Sequence, residues 1–128
     1  MQLLKIYYAY FSPGNTTEKV VSHIASSFQN YPVESINLTD YATRQEDYYF
    51  KENELLIIGV PAYGGRVPAP VVDALRHFTG SNTPVVLVAT YGNRDIDDTL
   101  IELKKNVIDK GFIPVGAASF VCQHTFLK

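Results

Sequence analysis

The sequence has 128 residues, of which 46% are hydrophobic and 19% charged, and its formal net charge is -2. A chain of this length forms one domain with a buried core, so we predict a single domain over residues 1–128. Its 11 Lys and Arg residues are scattered, which argues against a nucleic-acid-binding protein. The longest apolar runs fall far short of a membrane span and no signal-peptide pattern is seen, so we expect a cytoplasmic protein.

Hydrophobic periods of two and of 3.6 residues alternate along the chain, which predicts alternating strands and helices. The first strand is predicted over Leu3–Tyr10, and Pro32–Leu38 is predicted as the second. The helix between them is marked by apolar residues that share one face, namely Val20, Val21, Ile24, Ala25 and Phe28. The next segment, TDYATRQEDYYFKEN (39–53), is polar and rich in tyrosine, and we predict a loop with one helical turn.

Two nearly continuous apolar runs, Glu54–Val60 and Pro84–Thr90, are typical of strands covered on both faces of a parallel sheet. Between them the pattern predicts a helix from Pro70 to Phe78, with proline in its first turn. A further helix with apolar positions between 96 and 108 ends at a glycine, and Phe112–Val121 is the fifth strand.

Five strands joined by helices predict an α/β fold with a doubly wound parallel sheet, because parallel strands need crossover connections. Ligands of such sheets bind beyond the carboxyl ends of the strands. The candidate site therefore lies in the loops that follow Tyr10, Val60 and Thr90.

The first of these loops has the composition of a phosphate-binding turn. It reads FSPGNTT (11–17) and opens the first predicted helix. Unpaired N–H groups at a helix N-terminus, together with hydroxyl side chains, hold a phosphate without any lysine. The alternative is that Ser12 or Thr16 only caps the helix while Asn15 takes a left-handed conformation. The sequence has neither the Walker lysine loop nor a GxGxxG pattern.

The second and third loops share a different chemistry. The second, VPAYGGRVPAP (60–70), has two glycines bracketed by prolines, and Tyr63 is available to stack on a planar ligand. The third, TYGNRD (90–95), again places a tyrosine and a glycine directly after a buried strand. Three such loops at one edge of a sheet favour a ligand site over separate surface turns.

On these segments the chain resembles a flavodoxin. The likeness is strongest to flavodoxin domains with YFSPTGNT or YFSPTGTT first loops and PxYGGRVP second loops, some of which are fused to a ferredoxin domain. Here the segments read YFSPGNTT (10–17) and PAYGGRVP (61–68). The family pattern S/T-x-T-G-x-T is not reproduced. Without a gap, Gly14 falls at the family's threonine and Asn15 at its glycine. A gapped alignment would shorten the loop, and we favour the ungapped one because it keeps TEKVV (17–21) in register with the helix.

The resemblance implies the strand order 2-1-3-4-5 and non-covalently bound FMN that carries single electrons. The implied phosphate contacts are Ser12, Gly14, Asn15, Thr16 and Thr17. The implied contacts of the flavin ring are Pro61, Ala62, Tyr63, Gly64, Gly65, Thr90, Tyr91, Gly92 and Asn93, with His124 as a candidate at the flavin edge. Gly64 or Gly65 is the candidate for the glycine whose carbonyl turns towards the reduced flavin N5–H in the family. The implied partner is a redox protein, for which a ferredoxin is one candidate.

Two further features depart from the best-known flavodoxins. Arg66 and Arg94 occupy the flavin loops, opposed by Asp95, Asp97 and Asp98, and are candidates for docking or for holding a substrate anion. Flavodoxins also carry a fifth helix after the last strand, whereas only CQHTFLK (122–128) follows here.

The missing fifth helix leads to an expectation about the surface. We expect the sheet face around Leu4, Ile6 and Ile57 to be bare. A bare apolar face is uncommon on a monomer, so we expect either a C-terminally truncated fragment of a longer protein or a homo-oligomer that closes the face.

Two alternatives to a one-electron carrier stay open. The first is a small FMN-dependent NAD(P)H:quinone-type reductase, which would need oligomerisation to build its substrate pocket. The second is a flavodoxin-like binding module that has lost FMN, which the altered first loop and the missing helix make credible.

Overall fold

The computed structural model describes residues 2–92 and 97–121, with the side chain of Asp97 left out. The elements of this part of the chain are, in order, β1 (Lys5–Tyr10), α1 (Thr16–Ser26), β2 (Val33–Asn37), α2 (Tyr41–Arg44), β3 (Tyr48–Tyr49), β4 (Glu54–Pro61), α3 (Ala69–Leu75), β5 (Phe78–Thr79), β6 (Thr83–Tyr91), α4 (Asp97–Asp109) and β7 (Phe112–Val121). None of the helices in these ranges is both long and apolar enough to cross a membrane.

The five long strands form one parallel sheet in the order β2-β1-β4-β6-β7. Counting these strands alone, the order is 2-1-3-4-5, which confirms the predicted α/β doubly wound sheet. Tyr10 pairs with Gly59, and Pro61 pairs with Thr90. The carboxyl ends of β1, β4 and β6 therefore meet at one edge, and the three candidate loops leave the sheet side by side.

The core lies on both faces of the sheet, and β4 contributes to each. Leu56 and Ile58 pack in a cluster with residues of α3 and α4, such as Val71 and Leu103. The alternating residues of β4, such as Ile57, pack against α1 instead. This two-sided burial explains why β4 is a continuous apolar run rather than an alternating one.

The contact between α1 and β4 is unusually close at Gly59. A Cβ atom at this position would collide with Val21 Cγ1 and would lie 3.0 Å from Thr17 Cγ2. Glycine is therefore required here because the helix occupies the space of a side chain. This contact fixes the height and position of the N-terminal turn of α1 above the carboxyl edge of the sheet.

The segment before β4 contains more structure than the sequence predicts. The single helical turn expected in residues 39–53 is present as α2, but Tyr48 and Tyr49 also form β3. This strand pairs in parallel with β5, so Phe78 belongs to a small second sheet. The prediction that the helix extends to Phe78 is wrong, because α3 ends at Leu75 and Phe78 is buried against Tyr48 and Phe50.

The prediction of a bare face over the first and third strands is also wrong for two of its three residues. Ile6 and Ile57 are fully buried, because α1 packs directly on β1 and β4. Of the three residues, only Leu4 is exposed, at 56%. The predicted absence of a fifth helix concerns residues 122–128, which lie outside the described ranges.

An apolar groove lies elsewhere on the same face, between α1 and β7. It has a volume of about 420 Å³ and is lined by Lys19, Val20, His23, Ile24 and Phe120. Val86 of β6 is only partly buried where it packs against the residues of α1. Among the described residues, the less covered part of this face therefore lies over β6 and β7 rather than over β1 and β4.

The N-terminus of α1 is capped in an indirect way. The N-cap residue Asn15 has φ 68° and ψ -3°, and its side chain makes no capping hydrogen bond. The hydroxyl of Ser12 instead accepts a hydrogen bond from the Glu18 N–H at 3.0 Å. The left-handed conformation expected of Asn15 is thus confirmed.

The packing at Gly59 predicts that Gly59→Ala destabilises the fold. We expect a loss of about 1–3 kcal/mol in the free energy of unfolding, because the added methyl group pushes α1 off the sheet. Gly116→Ala is the matched control in β7, since its Cβ would lie 3.8 Å from Val86 Cγ2, an ordinary contact. Urea denaturation followed by circular dichroism measures both. Equal losses for the two variants would contradict this packing.

The conformation of Asn15 predicts opposite results for two small substitutions. Asn15→Ala should lower the free energy of unfolding by about 1 kcal/mol, because the Cβ atom of alanine is crowded by the following carbonyl in the left-handed conformation. Asn15→Gly should stay within about 0.5 kcal/mol of the parent, since glycine adopts this conformation freely. The same urea experiment decides the point, and an alanine variant as stable as the glycine variant would show that the turn is not left-handed in solution.

Candidate functional site

The three predicted loops meet around one open cavity of about 260 Å³ at the carboxyl edge of the sheet. Each loop contributes residues to its lining. The described lining residues are Ser12, Pro13, Gly14, Thr16, Thr17, Pro61, Ala62, Tyr63, Thr90, Tyr91 and Gly92. Asn15, Gly64 and Gly65 belong to the same loops but not to this lining. The predicted contacts Asn93 and His124 lie outside the described residues.

One end of the cavity is formed by the turn that opens α1. Within the described ranges, the N–H groups of Gly14, Thr16 and Thr17 have no protein acceptor, whereas those of Asn15 and Glu18 are bound by the backbone oxygen and hydroxyl of Ser12. A Cβ atom on Gly14 would meet nothing within 4 Å, so the backbone there is open to a ligand. A cluster of free N–H groups at a helix N-terminus is a binding site for an anion. Capping by Ser12 and anion binding are therefore compatible.

The position of this turn is fixed from the neighbouring strand. The N–H of Ser12 donates to Thr39 Oγ1 at 2.7 Å, and the N–H of Thr39 donates to Asn37 Oδ1 at 3.0 Å. Thr39 was not among the residues predicted from the sequence. The available signal was its place directly after β2, since β2 and β1 are neighbours in a sheet of this order and their carboxyl ends lie together.

The floor of the cavity is a buried pair of hydroxyl groups. Thr17 Oγ1 and Thr90 Oγ1 lie 2.8 Å apart, and both residues are buried. The backbone oxygen of Thr90 also accepts a hydrogen bond from the N–H of Ala62 at 2.8 Å. The first turn of α1, the end of β6 and the start of the second loop are therefore connected in one network.

The second loop forms a tight two-residue turn. Tyr63 and Arg66 exchange two backbone hydrogen bonds of 3.0 Å. Between them Gly64 has φ 59° and Gly65 has φ 79°, the positive values that a type I′ turn requires at both central positions. The ring of Tyr63 is half exposed beside the cavity and contacts Phe11 edge-on, with centroids 6.4 Å apart. The loop thus presents one aromatic face to a ligand.

The hydrogen-bonding partner of Arg66 is Glu102, while Asp98, one of the aspartates predicted to oppose Arg66, adds a weaker charge interaction. Arg66 Nε donates to Glu102 Oε1 at 2.9 Å, and its second nitrogen donates to Oε2 at 3.3 Å. The hydrogen bond from Arg66, and a second from the Val67 N–H, hold the pKa of the Glu102 carboxyl below its usual value. Glu102 was missed because nothing in the sequence marks which face of α4 meets the second loop.

A neutral tyrosine lies under the first turn of α1. The hydroxyl of Tyr10 donates to Glu18 Oε2 at 3.3 Å. Burial, and then the negative charge of Glu18, raise the pKa of Tyr10 to about 12. Tyr10 therefore stays protonated near neutral pH and holds the Glu18 carboxylate to the side of β1.

Comparisons with known proteins add to this description. No family model matches the sequence, and no curated protein matches it. Solved structures do match its fold. A flavodoxin of Streptococcus pneumonia TIGR4 superposes with a TM-score of 0.69 at 12% identity, covering 94% of this chain and 88% of that chain.

Two further structures agree with this match. A flavodoxin from the domain Archaea gives a TM-score of 0.67 at 15% identity, covering 92% of this chain and 85% of that chain. A flavoprotein of Lactobacillus acidophilus NCFM, solved in complex with FMN, gives a TM-score of 0.62 at 16% identity, covering 91% of this chain and 93% of that chain. Together with the strand order 2-1-3-4-5 and the loops at its carboxyl edge, these similarities show that the chain has the flavodoxin-like fold.

Proposed function

We propose that this protein binds FMN non-covalently at the cavity and carries electrons singly between redox partners. The observation that carries this proposal is the set of free N–H groups in the turn before α1, which faces the same cavity as two tyrosine-bearing loops. Support comes from the Lactobacillus acidophilus flavoprotein, which has the same fold and was solved with FMN. The cavity is open on one side, so a ligand larger than 260 Å³ extends out of it.

The phosphate group of FMN would lie at the turn. Its acceptors match the free N–H groups of Gly14, Thr16 and Thr17, and the hydroxyl of Thr16 is a further donor. No Lys, Arg, Asp or Glu is found among the described lining residues. Binding of the dianion would therefore depend on the helix dipole and on oriented N–H groups rather than on a basic side chain.

The isoalloxazine ring would lie between the second and third loops. Tyr63 and Tyr91 offer aromatic contacts, and Pro61, Ala62 and Gly92 offer flat, largely apolar surface. The flavin supplies the electron chemistry, and the protein binds it, orients it and adjusts its polarity. Gly64 or Gly65 remains the candidate for a peptide carbonyl near the flavin edge, because both have the conformational freedom that such a rotation needs.

We propose an electron carrier rather than a reductase with its own substrate. A carrier needs only an exposed flavin edge for a partner to approach. A redox protein, with a ferredoxin as one candidate, is accordingly the partner that we propose.

The proposal is tested by titrating the protein with FMN and with riboflavin, which lacks the phosphate. FMN should bind at least about tenfold more tightly, a difference of about 1.4 kcal/mol that the phosphate contacts supply. Gly14→Asp places a negative charge in the open space of the turn and should weaken FMN binding by a further tenfold or so, because like charges repel at short range.

Gly14→Asn is the matched control, since it has nearly the same size without the charge. It should retain most of the FMN affinity, and both variants should bind riboflavin like the parent. Equal affinities for FMN and riboflavin, or equal effects of the two Gly14 variants, would contradict phosphate binding at this turn. Binding of neither flavin would favour a flavodoxin-like module that has lost FMN.

We further propose that a second copy of the chain covers the apolar groove between α1 and β7. Val20, Ile24 and Phe120 give the groove its apolar lining, beside Lys19 and His23, and Val115 and Val121 of β7 are exposed on the same strand as Phe120. Light scattering after size exclusion should give twice the mass of one chain, and Val20→Lys should convert the dimer to a monomer. Ile101→Lys, at an exposed position of α4, is the control and should leave the dimer intact. A monomeric parent protein would contradict this assembly.

A further inference from the structure

We propose that Glu102 of α4 is a positioning residue for the flavin ring, because it anchors the turn of the second loop to the helix that follows the third. The inference rests on the proposed function, since the ring of FMN is what the two loops would hold. Glu102 lies outside the cavity lining and would act on the ring through the second loop.

The geometry of Glu102 is that of an anchor with two attachment points. Oε1 accepts from Arg66 Nε at 2.9 Å and from the Val67 N–H at 3.0 Å, and Oε2 accepts from the second Arg66 nitrogen at 3.3 Å. The side chain of Glu102 is 24% exposed, whereas that of Arg66 is 71% exposed. One partly sheltered carboxylate thus holds both the side chain and the backbone of two successive residues. Such charge-assisted bonds are among the stronger ones in proteins.

These two residues directly follow the two-glycine turn. Arg66 is one of the two residues whose backbone hydrogen bonds close the turn, and its partner there is Tyr63. The upstream side of the turn is held by a hydrogen bond of 2.8 Å that the Ala62 N–H donates to the backbone oxygen of Thr90. A Cβ atom on Gly64 would meet no described neighbour within 4 Å, so there is open space beside the tip of the turn. The downstream side of the turn is therefore held by Glu102.

The anchor joins the second loop to the helix that follows the third. α4 begins at Asp97, and β6, which ends at Tyr91, precedes it in the chain. The bonds from Glu102 to Arg66 and Val67 therefore hold the second loop, with Tyr63, from the side of α4. The turn before α1 is not part of this connection, so the effect of Glu102 falls on the ring and not on the phosphate.

The test is to titrate Glu102→Ala with FMN and riboflavin and to measure the midpoint potential of the bound flavin. Both affinities should fall by the same factor, about fivefold or more, because an anchor made of charge-assisted hydrogen bonds is lost. The potential should shift as well, since the ring gains a looser and wetter surrounding. Glu102→Gln keeps an oxygen for the Val67 N–H and should restore most of the affinity.

Two further variants sharpen the result. Arg66→Ala should weaken the binding of both flavins. In the Glu102→Ala background it should cause no further loss of affinity, because the two residues act as one unit. If Glu102→Ala does not fold, Arg66→Ala can replace it in the test, because Arg66→Ala keeps the hydrogen bond from the Val67 N–H to Glu102. Glu34→Ala removes a comparable surface pair with Lys5 on the first two strands, 2.6 Å long, and should change neither affinity nor potential.

Three outcomes would overturn the inference. Parent-like affinities and potential in Glu102→Ala would show that the anchor is dispensable while leaving FMN binding intact. A loss confined to FMN would place the effect at the phosphate turn. Binding of neither flavin by the parent protein would remove the proposed function and this inference with it.

Discussion

The close contact between α1 and Gly59 is the constraint on which the site depends. Because β4 has no side chain at that point, Thr17 and Val21 lie directly on the strand. Thr17 then reaches Thr90 across the end of the sheet, and the two hydroxyls form the floor of the cavity. The free N–H groups of the preceding turn are held above this floor. A helix raised by the thickness of a methyl group would lose the hydroxyl pair and displace the turn.

The described lining of the cavity contains no charged side chain, and the nearby charges are paired with other residues. The guanidinium of Arg66 in the second loop is bound by Glu102, and the carboxylate of Glu18 is held by Tyr10. What remains at the described lining is hydroxyl groups, backbone N–H groups and aromatic rings. A phosphate bound there would be stabilised by fixed dipoles, and a flat ring by apolar surface. The two ends of the cavity thus suit the two chemically different halves of one ligand.

The sequence was sufficient for the sheet and for the loops that carry the site. Buried parallel strands are continuous apolar runs, so β4 and β6 were recognisable, and the order of elements predicted which loops meet. Phe78 was placed in a helix because its apolar spacing continues that of α3, while its actual partners, Tyr48 and Phe50, lie in a segment without clear periodicity. Local pattern cannot reveal a pairing between two distant two-residue strands.

The errors about the surface have a similar origin. Ile6 and Ile57 were expected to be bare because no fifth helix was predicted after the last strand, whereas α1, which lies close to β4 at Gly59, packs on both residues. Glu102 and Thr39 escaped notice because each acts through hydrogen bonds to a different element or loop. Such residues have no motif of their own, and only the folded chain brings them to the loops.

The most direct test of this account is to map the amide chemical-shift changes of the protein on addition of FMN and, separately, of riboflavin. The account predicts that FMN shifts the amides of Gly14, Thr16 and Thr17 at one end of the cavity and those of Tyr63, Gly64 and Gly65 at the other. Riboflavin should shift only the second group. Changes centred on Val20 and Ile24 in the groove beside β7, or identical changes with both flavins, would contradict it.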